Sequence, residues 1–150
     1  MNNIELEAAI KNAETISINA GERFTNPRRL VLECLLKCSN PQKAYDILSA
    51  ISSNDRSVKP PTVYRALDFL TRLGIIHKIE SDATYFVCSH ANHCDHETHV
   101  PLFLICNDCG NVIENHLIKI EELIANSAQK AGFKADKIVI EARGKCLKCQ

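Results

Sequence analysis

The sequence predicts an α+β chain in two modules: a helical N-terminal half closed by a two-stranded hairpin, then a small α/β half. Three observations carry this. Apolar residues recur at helical spacing over four stretches before Gly74, and the period changes to alternation directly after it. A polar, histidine-rich tract, Ser89–Pro101, breaks both patterns and reads as a linker. Beyond it, two Cys-x-x-Cys pairs, Cys106/Cys109 and Cys146/Cys149, bracket a strand, strand, helix, strand pattern. The expected divisions are residues 1–88, 89–101 and 102–150.

In order, Ile4–Ile18 carries Ile4, Leu6, Ala9, Ile10, Ala13 and Ile16 at loose helical spacing. Thr25-Asn26-Pro27 precedes a second helix over Arg28–Lys37. Thr25 or Asn26 can cap it, and proline suits a first turn because its missing N–H costs nothing there. Gln42–Ser53 repeats Ala44, Ile47/Leu48 and Ile51. Lys59-Pro60-Pro61 then starts Thr62–Leu73, with a stripe of Val63, Ala66, Leu67, Leu70 and Leu73 ending at a Gly74 cap. Ile75–Glu80 and Thr84–Cys88 flank Ser81-Asp82-Ala83 as a hairpin.

Helices followed by a hairpin make a winged helix, a helix-turn-helix variant that reads DNA. Off the fourth stripe lie Thr62, Tyr64, Arg65, Asp68 and Arg72. Arg65 can donate two hydrogen bonds to a guanine edge, and Tyr64 can meet a thymine methyl or a phosphate. Lys59 and Arg28 are placed to hold backbone phosphates. Thr62, and Tyr45 on the third stretch, complete the DNA-facing candidates. The competing reading is a plain helical bundle with solvated side chains.

In the second half, Leu102–Cys106 and Asn111–Glu114 read as short strands around a knuckle. A helix over residues 115–131 follows, with Leu117, Ile120, Leu123/Ile124 and Ala128 on one face and Gly132 at its end. Phe133–Arg143 alternates through Ile138, Ile140 and Ala142. A module this small needs support, and a metal and dimerisation are the natural ones.

Charge says little about partners. Lysine plus arginine and aspartate plus glutamate stand at 18 each; residues 1–80 hold 11 basic and 9 acidic side chains, residues 81–150 hold 7 and 9. Met1–Glu14 is polar and acidic, unlike a secretory signal, and no run approaches a membrane span. A cytoplasmic protein is expected, where disulfides are rare.

Two sulfurs three positions apart can grip one tetrahedral ion from a tight turn, and a second pair completes a four-thiolate zinc shell. Gly110 lets the backbone fold sharply around the first pair. The 36 residues between the pairs exceed a compact zinc ribbon, so an ion would pin the chain's far end to an earlier hairpin. A redox disulfide and unliganded thiols are the other readings. Cys34 and Cys38, on a leucine-rich helix, read as buried thiols packed as small apolar groups.

Catalysis is not indicated. A zinc deaminase needs Pro-Cys-x-x-Cys and an upstream His-x-Glu; Ile105 precedes Cys106 and no such His-x-Glu occurs. His96-Glu97-Thr98-His99 is one residue short of the zincin motif. Neither an enzyme nor a small-molecule substrate is expected.

The stretch Lys59–Glu80, KPPTVYRALDFLTRLGIIHKIE, resembles the recognition helix and wing of the ferric uptake regulator superfamily. Ile105–Gly110, ICNDCG, resembles its metal knuckle, and Cys146/Cys149 the partner pair. The likeness runs from about Arg23 to Cys149 and is strongest to the zinc-uptake-regulator branch. It rests there on PPTVYRALDFL, on His77-Lys78, and on the late I-E-A-x-G-x-C-x-x-C of Ile140–Cys149.

The resemblance implies a homodimeric repressor with an N-terminal winged helix and a C-terminal dimerisation domain, which binds a palindromic double-stranded DNA operator when metal-loaded. It also implies a sensor site of His77, Cys88, His99 and Glu114, and hence two Zn2+ per chain. Two nitrogens, a sulfur and an oxygen suit tetrahedral zinc, and the Cys88 thiolate favours zinc over iron or manganese. His90, His93, Cys94 and His96 offer alternatives to His99, or an additional site. Iron-, manganese- or peroxide-responsive members of the superfamily, and a thiol-redox regulator, remain the alternatives.

Overall fold

The computed structural model describes residues 3–53, 58–88, 100–117, 120–135 and 138–150, in two compact units spanning residues 1–92 and 93–150.

The first unit orders α1 (Asn3–Asn19), α2 (Asn26–Lys37), β1 (Gln42–Lys43), α3 (Ala44–Ser52), α4 (Pro60–Arg72), β2 (Ile76–Ile79) and β3 (Thr84–Val87). Its core joins Ile10 and Ala13 of α1, Val31, Leu32 and Leu35 of α2, Ile47 and Ile51 of α3, and Val63, Ala66, Leu67, Phe69 and Leu70 of α4. Pro27 and Pro60 stand in the first turns of α2 and α4. Thr25 occupies the N-cap of α2, but its side chain makes no capping hydrogen bond.

Gly74, at φ 65°, ends α4: its N–H donates to the Thr71 carbonyl at 3.0 Å and the Ile75 N–H to the Leu70 carbonyl at 2.9 Å. This pairing satisfies the last carbonyls and turns the chain directly into the hairpin. β2 and β3 pair antiparallel, with His77 opposite Phe86 and Ile79 opposite Thr84.

Several sequence expectations shift. Gln42 and Lys43 were expected in the third helix; they pair instead with Tyr85 and Thr84, adding a third strand in the order β1-β3-β2. Phe69, outside the expected stripe, is 3% exposed, whereas Leu73 is half-buried. On α1, Ile4 is exposed and Ser17 buried, its hydroxyl donating to the Ala13 carbonyl at 2.7 Å. Cys34 is half-buried and Cys38 exposed, because α2 stops at Lys37 and the chain leaves extended through Cys38.

The second unit has β4 (Val100–Cys106), β5 (Val112–Leu117), α5 (Ile120–Lys130) and β6 (Ile140–Gly144), in the sheet order β5-β4-β6. β4 pairs antiparallel with β5 and parallel with β6. The expected linker ends earlier, since Val100 and Pro101 already pair with Leu117 and His116. The expected helix from residue 115 loses its start for the same reason, because β5 runs on to Leu117.

Leu102, Leu104, Ile113, Ile140 and Ala142 share one sheet face by register, with Leu104 opposite both Ile113 and Ala142. Among the described residues the unit buries only Val100, Phe103, Ile105 and Cys106, while Leu104, Ile113, Leu123, Phe133 and Leu147 are exposed. No described helix is long and apolar enough to cross a membrane.

Candidate metal centre and nucleic-acid interface

The two Cys-x-x-Cys pairs meet because β6 runs parallel to β4. Register places Cys106 opposite Gly144, and the Asn107 N–H donates to the Gly144 carbonyl at 2.8 Å. This delivers residues 145–149 beside the turn that follows β4. That turn is closed by the Gly110 N–H on the Cys106 carbonyl at 3.0 Å and the Cys106 N–H on the Asn111 carbonyl at 2.9 Å. Gly110 has φ 70°, which makes the reversal inexpensive only for glycine. The second turn closes with the Cys149 N–H on the Cys146 carbonyl at 2.9 Å. A Lys145–Asp108 ion pair at 3.1 Å spans the two turns.

The four sulfurs all lie within 4.8 Å of one another. Cys109 Sγ and Cys146 Sγ are 3.7 Å apart. Four thiolates around a tetrahedral zinc at about 2.3 Å stand about 3.8 Å from each other, whereas a disulfide needs about 2 Å. The spacing therefore fits a shared ion and does not fit a bond.

The backbone is arranged for a thiolate at Cys106. Backbone N–H groups of Cys109, Cys146 and Asp108 point at its sulfur and hold it down to about 6, the Cys146 N–H at 3.3 Å. Cys149 is pushed up to about 12 by hydrogen bonding to Cys146 and Cys109. Cys109 is also raised: the Asn111 backbone lowers it, but contacts with the neighbouring thiols outweigh that. Four sulfurs this close cannot all ionise without a cation among them, which is the condition zinc satisfies. The residues present fit the group.

Of the expected sensor ligands, His77 and Cys88 come together within the first unit. His77 faces Phe86 across the hairpin, their ring centroids 5.6 Å apart, and the Cys88 N–H donates to the Ile75 carbonyl at 3.0 Å. Residues 75 and 77, and 86 and 88, therefore share one face. The ligand atoms of His77 and Cys88 lie within 4.8 Å of each other, His77 half-buried and Cys88 5% exposed. Glu114 sits half-buried on β5, opposite Phe103. His99, with His90, His93, Cys94 and His96, lies outside the described residues.

On the candidate DNA side, Tyr64 and Arg65 project from the first turns of α4 and are exposed, with Lys59 at its N-cap and Thr62 half-buried. Tyr45, 75% exposed, projects from the first turn of α3. Arg28 is engaged elsewhere: its guanidinium lies 3.2 Å above the Phe69 ring, donates to the Arg23 carbonyl and stands 3.7 Å from Glu22. Glu22 also binds Arg72 at 2.6 Å. Lys43, outside the expected set, is an exposed cation at the N-cap of α3, two residues before Tyr45. A two-residue strand carries no alternation from which to place it.

The ferric uptake regulator family model matches residues 19–143. The chain is 37% identical over 140 residues to the zinc uptake regulation protein of Escherichia coli K12, covering 93% of this chain and 80% of that one. It is 33% identical over 116 residues to a ferric uptake regulation protein of Brucella abortus, covering 76% and 77%. Among solved structures, a zinc uptake regulator complexed with zinc and DNA superposes with a TM-score of 0.88 at 36% identity, covering 96% and 94%. The chain belongs to the ferric uptake regulator family.

Proposed function

We propose that this chain is a zinc-responsive DNA-binding repressor that binds palindromic operators as a metal-loaded homodimer and controls zinc uptake genes. The observation that carries this reading is the likeness, over nearly the whole chain, to a zinc uptake regulator solved with zinc and DNA. Arg65 reads a guanine edge from α4, Tyr64 meets a thymine methyl or a phosphate, Lys59 fixes register on a phosphate, and Thr62 and Tyr45 complete the DNA-facing set. Arg28 is the weakest member of the set, since a phosphate contact would have to compete with Glu22 and Phe69.

Cys106, Cys109, Cys146 and Cys149 hold a structural zinc, which neutralises their crowded thiolates and ties β6 to the turn after β4. His77, Cys88, His99 and Glu114 hold a second, regulatory zinc. The close His77–Cys88 pair supports this, because a nitrogen and a sulfur donor on one hairpin face form half of a tetrahedral shell. Of the four ligands, two belong to the winged helix, one to the segment after it and one to β5. Binding all four restricts how the winged helix is carried. Moving a hinge from 1:99 to 99:1 takes roughly 5.5 kcal/mol of differential binding, and structural zinc sites reach about 10–16 kcal/mol in peptides. A weaker regulatory site still suffices.

The open apolar sheet face and the exposed Leu123, Phe133 and Leu147 support dimerisation through the second unit. Twofold symmetry then suits a palindromic operator. The test is operator binding by reduced protein, depleted of its labile metal, titrated separately with zinc, iron(II) and manganese(II). Zinc alone should promote binding. Promotion by iron or manganese and not by zinc would overturn the reading.

A further inference from the structure

Lysine plus arginine and aspartate plus glutamate balance at 18 each, so a DNA-binding face has to come from cations left without a counter-charge. In the first unit several are compensated. Arg28 and Arg72 share Glu22, Arg29 is held by Glu7 and Glu33, and Lys78 by Glu80. Lys43 is not. It is exposed, and among the described residues its ammonium enters no ion pair or side-chain hydrogen bond. Asp46, in the first turn of α3, is the nearest acidic residue in sequence and leaves it unpaired.

Lysine is also an unfavourable choice for this position. At φ −75° and ψ 151° it stands at the N-cap of α3. There it offers no oxygen to the first amides, and its charge meets the positive end of the helix. Lys59 stands in the same relation to α4, at φ −105° and ψ 158°, again without a side-chain capping hydrogen bond. Both helices therefore begin on a lysine where serine, threonine, aspartate or asparagine would stabilise them more. Local choices that oppose stability are expected where a function needs them. The Lys43 main chain is fixed as well, since β1 pairs Gln42 with Tyr85 and Lys43 with Thr84 of the wing. Tyr45, two residues on, is exposed.

We propose that Lys43 binds a phosphate of the operator backbone beside Tyr45, as a positioning contact that supplies affinity without reading sequence. This rests on the DNA-binding reading above and adds to it a contact carried by α3. The first helix of a helix-turn-helix crosses the backbone while the second enters the groove, which brings the start of α3 against the flanking strand. A phosphate there neutralises the ammonium and offsets its cost at the helix end. The pairing with Thr84 holds the Lys43 backbone at a fixed place relative to the wing. A homodimer makes two such contacts, and each adds about 0.9 to the slope of log affinity against log salt.

The experiment is salt titration of DNA binding by full-length, zinc-loaded wild type, Lys43→Ser and Lys43→Arg. The probes are a duplex selected from a random pool by the zinc-loaded wild type and an unselected duplex of equal length. Lys43→Ser should weaken binding to both duplexes by the same factor and reduce the slope by about 1.8 for the dimer. Its deficit should shrink about 12-fold between 50 and 200 mM salt, the fourfold rise in salt taken to that power. The same variant should melt at a higher temperature, because serine caps α3, which separates the weaker binding from any damage to the fold. Lys43→Arg should keep the wild-type slope. An unchanged slope in Lys43→Ser would overturn the proposal, as would a loss confined to the selected duplex. Wild-type protein that selects no duplex with zinc present would instead overturn the DNA-binding reading on which the proposal rests.

Discussion

Removing zinc from the four-cysteine centre should unfold the second unit and leave the first intact. The ion would tie two turns whose cysteines stand 37 positions apart, Cys109 and Cys146. Releasing a cross-link around a loop of that length returns about 4 kcal/mol of chain entropy to the unfolded state. A unit the size of residues 93–150 has a total stability of only about 3–9 kcal/mol. Its described core is Val100, Phe103, Ile105 and Cys106, and one of those four is itself a ligand. At about 4–8 °C per kcal/mol for a domain of this size, the loss lowers its melting temperature by about 16–32 °C. The first unit buries Ile10 through Tyr85 with no contribution from the knuckles.

The assay is hydrogen exchange read by peptide after treatment with a strong chelator. Amides of β4, β5 and β6 should lose protection, while those of Val31–Leu35 and Val63–Leu70 keep it. If the β4–β6 amides stay protected once the zinc has gone, the ion is not what holds this unit together.

Other outcomes follow from the same geometry. His77→Ala and Cys88→Ser should leave a folded dimer, by circular dichroism and sedimentation, that no longer binds operator on zinc addition. Equal loss of folding in these variants and in Cys106→Ser would erase the division between structural and regulatory sites. Arg65→Ala should cost about 1–3 kcal/mol at the base it reads and leave zinc affinity unchanged, measured with operator variants. Zinc loading of the four-cysteine centre at pH 7 should release fewer than four protons per ion, by calorimetry in buffers of differing ionisation heat. Cys106, held down to about 6, enters already ionised, and Cys149, pushed up to about 12, enters protonated. Protons compete with the ion, so retention should weaken as pH falls through about 6, where Cys106 also protonates.

Much of this was legible where one residue type has one conformational use. Gly74 after a five-residue stripe marks the end of α4, and the change to alternation marks the hairpin. The knuckle followed from two spacings and Gly110. The illegible parts depend on partners distant in sequence. Phe69 is buried because Arg28 lies on its ring and Arg72 flanks it, which no stripe on α4 alone reveals. The pairing of Gln42 and Lys43 with β3 needs the hairpin as a template, since two residues show no period. The parallel run of β6 beside β4 brings the cysteine pairs together, yet nothing local in Ile140–Gly144 specifies that direction. Cys38 is exposed although the leucine-rich pattern continues up to it, because the helix ends one residue earlier.

The two proposed zinc ions differ in their ligands, and only the one at His77 and Cys88 is expected to govern DNA binding. Zinc-edge X-ray absorption during graded chelation, with operator binding measured on the same samples, separates the two ions. A mixed sulfur and nitrogen/oxygen spectrum is expected at full loading. A sulfur-only spectrum should remain once the weaker ion is lost, with operator binding disappearing at that step. Operator binding that persists in protein retaining only the sulfur-bound ion would contradict it.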